Sequence, residues 1–325
     1  MQVLFGCCLF FPRNLVPLIA VRINHDMGVA AILLTLQAEC VFEGKNVLGE
    51  GPVWDELLKE VFWVDIEGRK LHRYRPSDGK TAEYSFEQKI GCALPAEDGS
   101  WVLGLADGFY RFDPKSGCAT LMVHTKDENP SNRLNDGKCD PTGRIWAGTM
   151  SSKWQRDGNL YTLETGTELS VRLPGVVCSN GLAWNAEATM MYYIDSYERI
   201  VHAFDYDSTT GNITNQRAAI IFSENEQGGP DGMSIDSEGM LWIGHWGGWQ
   251  VGRWNPHTGE KLAMVEIPVH NVTSCAFGGE QLDELYITTT TTGNDGMDMS
   301  EQPLAGGLFK VKLDVKGLPV HRAKL

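Results

Sequence analysis

Three short stretches, far apart in the chain, each place an oxygen-bearing side chain beside glycine. Glu50 lies in LGEGPVW, Asn180 in CSNGLAW and Asp231 in GGPDGMS. All three follow nearly one order: a small residue, the polar residue, glycine, then an apolar residue or proline. Glycine lets the backbone come close to a central group and take positive φ. Two carboxylates and an amide form a hard-oxygen set that suits Ca²⁺, Mg²⁺ or Mn²⁺ and does not bar Zn²⁺. Buried together, Glu50 and Asp231 would repel each other strongly without a cation. The plainer alternative has them capping turns at a rim. A fourth stretch, NRLNDGK, offers Arg133 and Asn135, which strand alternation puts on one side. They would donate to a polyhydroxylated or carbonyl-bearing substrate, or Arg133 would make an ordinary surface ion pair. Asp136 is a candidate to cap the turn or to hold Arg133.

Other routes to catalysis have no sequence support. No GxSxG elbow and no HExxH helix occur, and the eight histidines are scattered. His245 and Trp246, in IGHWGGW, are candidates to line a pocket, with a structural role as the alternative. The chemistry then falls to a metal and carboxylates.

Such distant residues need a scaffold that brings them to one place. Brief apolar runs separated by D-G and S-G turn dipeptides predict hairpins along most of the chain. The starts Gly51, Gly91, Asn135, Asn180, Asp231 and Thr273 are 40, 44, 45, 51 and 42 residues apart. Each unit holds about four strands by this reading, and helical periodicity is nearly absent. An aromatic recurs in the second strand of each unit, at Trp63, Trp101, Trp146, Tyr193, Trp242 and Tyr286. The expectation is an all-β, six-bladed β-propeller with four-stranded antiparallel blades and inter-blade aromatics. A sandwich is the alternative, but it does not demand such even large units. Residues 38–325 form the single propeller domain in this reading, after a poorly defined extension at 1–37. The segment near 38–43 is expected to pair into the last blade and so remove the open edge.

Composition narrows the partners. The 325 residues carry 42 acids against 28 Lys and Arg, a formal charge of −14. With no basic patch to offset it, nucleic acid is excluded as a partner. The apolar stretches 3–12 and 28–37 are interrupted by Arg13, Arg22, His25 and Asp26, so no membrane span is expected. No basic residue precedes the first apolar run, so a signal peptide is not expected, and the functional protein is read as starting near Met27. The eight cysteines include no CxxC pair and are read as reduced core or strand residues of a cytoplasmic protein.

Taken together, LGEGPVW, NRLNDGK, SNGLAW and PDGM resemble the SMP-30/gluconolactonase family, also called regucalcin-like. DPTGRIWAGTM, YYIDS, HWGGW and TSCAFGG extend the resemblance from about Glu39 to about Leu318. It implies a metal-dependent lactonase that opens a sugar lactone to an aldonic acid. On this chain it implies one divalent cation held by Glu50, Asn180 and Asp231. Arg133 and Asn135 would bind substrate, with Asn135 also near the metal and Asp231 as general base. The sequence departs from the family in one place. Animal members carry a Glu soon after GTM, whereas SSKWQRDGNLY follows Met150 here and puts Trp154 or Gln155 at that point. Trp154 is a candidate to stack on a sugar face instead. A non-enzymatic calcium-binding or regulatory propeller is the alternative function.

Overall fold

A computed structural model of the chain describes residues 20–23, 32–125, 128–164, 168–294 and 296–325. Among the described residues, six sheets, antiparallel except for one parallel strand pair, are arranged as the blades of a propeller. The innermost strands are Gly49–Asp55, Ile90–Pro95, Arg133–Cys139, Ser179–Trp184, Gly229–Ile235 and Val272–Gly278. They touch one another in ring order, and the sixth returns to the first. Each blade then runs outward through successive hairpins.

Local chemistry sets the hairpins. Asp55, Asp140, Asn185 and Asp236 end or follow an inner strand. Each accepts backbone amides from the turn just beyond it, at 2.8–3.1 Å. A short acceptor that folds back on its own backbone favours a turn over a continued strand. Trp146 and Trp242 donate their indole N–H to Asp140 and Asp236, tying the second strand to the same turn. The recurring aromatics of the second strands, Trp63, Trp101, Trp146, Tyr193, Trp242 and Tyr286, are fully buried. They fill the space between blades, where large flat side chains bury the most apolar area.

Closure uses the start of the chain, as expected. Glu39–Phe42 pairs antiparallel with Leu308–Lys312 and becomes the outer strand of blade six. One expectation needs correction. Among the described residues, five blades have four strands, but blade five has six. Ile32–Gln37 adds in parallel to its outer strand Lys261–Glu266, and Ala20–Ile23 pairs with Ile32–Gln37. The strand Ile32–Gln37 lies before the boundary at residue 38, and Leu36 packs into the core with Val265 and Ile267. Residues 1–19 lie outside the described residues.

The last residues run beneath the ring. Ser237 bonds Lys316, Gly317 bonds Leu282, and Ala323 bonds Pro95 and Glu97 through the backbone. Leu318, Pro319, Val320 and His321 line one end of an axial cavity of about 90 Å³. The described residues hold no helix long and apolar enough to cross a membrane.

Candidate metal centre

Each candidate sits near the start of an inner strand, and a β-bulge explains how it points inward. Leu134 pairs with Thr149, but the next pair is Gly137 with Ala147, so Asn135 and Asp136 oppose a single residue. Ser179 and Leu182 flank the same irregularity around Asn180, and Pro230 and Met233 flank it around Asp231. In blade one it follows Glu50 directly. A bulge breaks the strict alternation of a strand and re-aims side chains. The glycines leave room for this. A Cβ on Gly232 would lie 2.1 Å from Ser274 Oγ, and one on Gly91 2.3 Å from the Leu134 carbonyl oxygen.

The bulges bring the five candidates together. Glu50, Asn135, Asn180 and Asp231 are all buried, which rules out turn caps at an exposed rim. Asn135 Nδ2 donates to the Ser179 carbonyl at 2.7 Å and to Asn180 Oδ1 at 3.1 Å. Arg133 donates to Asn135 Oδ1 at 2.5 Å and to the Leu134 carbonyl. Arg133 and Asn135 therefore do share a side, and the Asn135 oxygen is directed at Arg133. Ser196 locks the Asn180 amide: Asn180 Nδ2 donates to Ser196 Oγ at 2.8 Å, and that hydroxyl donates to the Pro230 carbonyl at 2.7 Å. One hydroxyl thus couples Asn180 to the residue before Asp231. The Asn180 oxygen is left on the side of Asn135.

The two carboxylates are under strain. Burial pushes the Asp231 carboxyl well above its usual range, and the charges of Glu50 and Asp136 push it further. Burial raises Glu50 as well, followed by the charge of Asp136. Against this, Glu50 accepts the Gly51 amide at 2.9 Å, Asp231 is eased by the Gly232 amide, and the nearby Arg133 charge lowers both. Buried anions with so few donors are costly unless a cation joins them. Among the described residues, no group of three His, Cys, Asp or Glu side chains converges as a metal site. The donor set here is two carboxylates with an oriented amide oxygen. Its hard, under-satisfied oxygens fit a divalent ion.

Two supporting residues were not foreseen. Asp195, at the end of Tyr193-Ile194-Asp195, accepts the amides of Val177 and Cys178 at 2.9 and 3.0 Å, just before Asn180. Asp65, at the end of Trp63-Val64-Asp65, accepts those of Val47 and Leu48, both at 2.9 Å, just before Glu50. These carboxylates fix the entry of two candidate-bearing strands. The repeated aromatic–aliphatic–Asp pattern was the available signal. Asp136 needs correction: it neither caps an exposed turn nor bonds Arg133, but accepts its neighbour Gly137 and faces the axis.

The remaining candidates lie elsewhere. His245 is a core residue, not part of a pocket. Its Nδ1 donates to the Gln227 carbonyl at 3.0 Å, and its Nε2 accepts the Trp254 indole at 3.3 Å. Trp246 is half-buried, with its ring against Gly293. Trp154 is exposed and takes φ of 55° in a turn whose amide bonds Ser151. Gln155 is exposed too. Asp157, in the same loop, is held by Asn129 and Asn132.

Comparison with known proteins places the chain. The family model described as SMP-30/Gluconolactonase/LRE-like region matches residues 48–291. The chain belongs to this family. Glu50, Arg133, Asn135, Asn180 and Asp231 all fall inside the matched region. Regucalcin of Danio rerio is 39% identical over 291 residues, covering 88% of this chain and 98% of the relative. Among solved structures, a luciferin-regenerating enzyme is 32% identical with a TM-score of 0.83, covering 89% of this chain and 99% of its own. A calcium-binding protein, regucalcin, from Agrobacterium tumefaciens is 26% identical with a TM-score of 0.85, covering 90% and 98%. A protein described as an enzyme and one described as calcium-binding are thus both similar to this chain in fold.

Proposed function

We propose that this protein hydrolyses a sugar lactone to the aldonic acid at the axial end of its inner strands, with one divalent cation. The observation that carries the reading is the meeting of Glu50 and Asp231 as under-satisfied buried carboxylates beside the oriented amide of Asn180. Glu50, Asn180 and Asp231 would hold Ca²⁺, Zn²⁺, Mg²⁺ or Mn²⁺. When bound, such an ion supplies a positive charge that polarises an ester carbonyl.

The chain's own residues supply the rest. Arg133 donates to the lactone's carbonyl or hydroxyl oxygens, and Asn135 completes this substrate-binding side by holding the guanidinium with its Oδ1, which fixes the orientation. Asp231 takes a proton from the water that attacks the carbonyl carbon. The ring C–O bond then breaks, and the proton passes to the leaving ring oxygen, which becomes a hydroxyl. The walls around the site are buried, which strengthens each of these interactions.

The test is hydrolysis across a panel of aldonolactones by chelated protein, with each cation restored in turn. Activity should vanish on chelation, return with at least one ion, and fall at least a hundredfold in Asp231→Asn and Glu50→Gln. Full activity in chelated protein, or in Asp231→Asn, would overturn the mechanism. Cation uptake without turnover on any lactone would instead favour a calcium-binding protein, as the Agrobacterium relative is described.

A further inference from the structure

The described site uses one face of the axis; beneath it lies a buried charge pair with no assigned role. In blades one, two, four and five the bulge carries a glycine: Gly51, Gly91, Gly181 or Gly232. Blade three carries Asp136 there instead. Asp136 is therefore a third buried carboxylate, and its charge is felt by both Glu50 and Asp231. Among the described residues it accepts one hydrogen bond, a neutral one from Gly137 at 2.7 Å. An anion so poorly solvated needs a cation within reach.

Lys138 is that cation. It lies two residues along the same strand, just past the bulge, and both residues line the axial cavity. The side chain is half-buried, and its ammonium is anchored inside the ring. Nζ donates to the Met233 carbonyl at 2.8 Å, in the inner strand of blade five. Blades three and five are not neighbours, so this bond spans the axial space and pins the charge in place. No side-chain ion pair joins Lys138 to Asp136 among the described residues, so the pair acts through space. Asp136 is the charge Lys138 interacts with most, ahead of Cys275.

We propose that Lys138 is a positioning residue for the cation centre: its fixed charge offsets Asp136 and keeps that carboxylate from acting as a further ligand. The site then holds one dication at Glu50, Asn180 and Asp231, with moderated affinity, rather than drawing a cation down the axis. The inference rests on the proposed reading of those three residues as ligands.

Calorimetric titration of the full chain with Ca²⁺ alone tests it, without any assay of turnover. Lys138→Met should bind Ca²⁺ at least tenfold more tightly or take up a second equivalent. Asp136→Asn should bind at least tenfold more weakly, because Lys138 is then unbalanced. The double variant should return to within about threefold of the unaltered protein, and Lys138→Arg should match it. Affinities within twofold for Lys138→Met and Asp136→Asn, with binding abolished in Glu50→Gln, would overturn this inference and leave the ligand assignment standing. Absence of Ca²⁺ binding in the unaltered protein would overturn both. If Lys138→Met does not fold, Asp136→Asn decides: an unchanged affinity refutes the role.

Discussion

Asp195 offers a direct test of how the fold aims a candidate ligand. Its two carboxylate oxygens take the amides of Val177 and Cys178 at 2.9 and 3.0 Å, and one of them also takes Tyr197 at 3.3 Å. Asp195→Asn keeps the shape but turns one oxygen into an NH₂ group. One buried amide then faces a donor instead of an acceptor. A hydrogen bond to a charged group is worth about 1.5–3 kcal/mol, and leaving a buried donor unmet adds to the loss. The expected cost is therefore about 2–4 kcal/mol. For a chain of this size, each 1 kcal/mol moves Tm by about 2 °C, so Tm should fall by about 4–8 °C. Because Asn180 follows the released amides directly, Ca²⁺ affinity measured by calorimetry should weaken at least fivefold. Asp65→Asn should act in the same way on Glu50. A thermal scan of Asp195→Asn within 1 °C of the unaltered protein, with unchanged Ca²⁺ affinity, would refute the reasoning.

The N-terminal strands should show graded importance. Removing residues 1–26 should leave soluble protein with Tm shifted by less than about 3 °C, because Ile32–Gln37 keeps its pairing with Lys261–Glu266. Removing residues 1–43 deletes the closing strand and the Phe42 ring, 5.2 Å from Trp63, and should yield insoluble protein in an expression assay. His245 gives a pH dependence. Burial, first of all, holds its imidazole down to about 3, so it stays neutral when folded while the unfolded chain protonates it near 6.5. The unfolded state then binds the extra proton, so stability is lost as pH falls from about 6.5 towards 3, by up to about 1.4 kcal/mol per pH unit. Nearby Lys261 and Arg199 add to the depression, and Glu226 lies 3.7 Å away. Urea titrations at several pH values should show a shallower slope in His245→Gln.

The sequence by itself determined the repeat. Turn acids such as Asp140 and Asp236 act on their own next few residues, so their effect is written locally. The buried aromatics at Trp146 and Trp242 recur at blade spacing for the same reason. The polar–glycine stretches around Glu50, Asn180 and Asp231 were also legible, since close backbone approach demands glycine wherever it occurs. Tertiary structure alone decided the rest. The parallel strand Ile32–Gln37 has no local mark of its partner at Lys261–Glu266, because pairing of distant strands depends on where each already lies. His245 could not be told from a pocket residue until Trp254 and Gln227 were seen to take both ring nitrogens. Asp136 was read as capping the turn or holding Arg133, since alternation is the only rule a strand sequence offers, and a bulge suspends it. Lys138 found its anchor 95 residues away, across the axis. Contacts of that span arise from ring closure, which fixes which blades face each other, and nothing in a single strand encodes it.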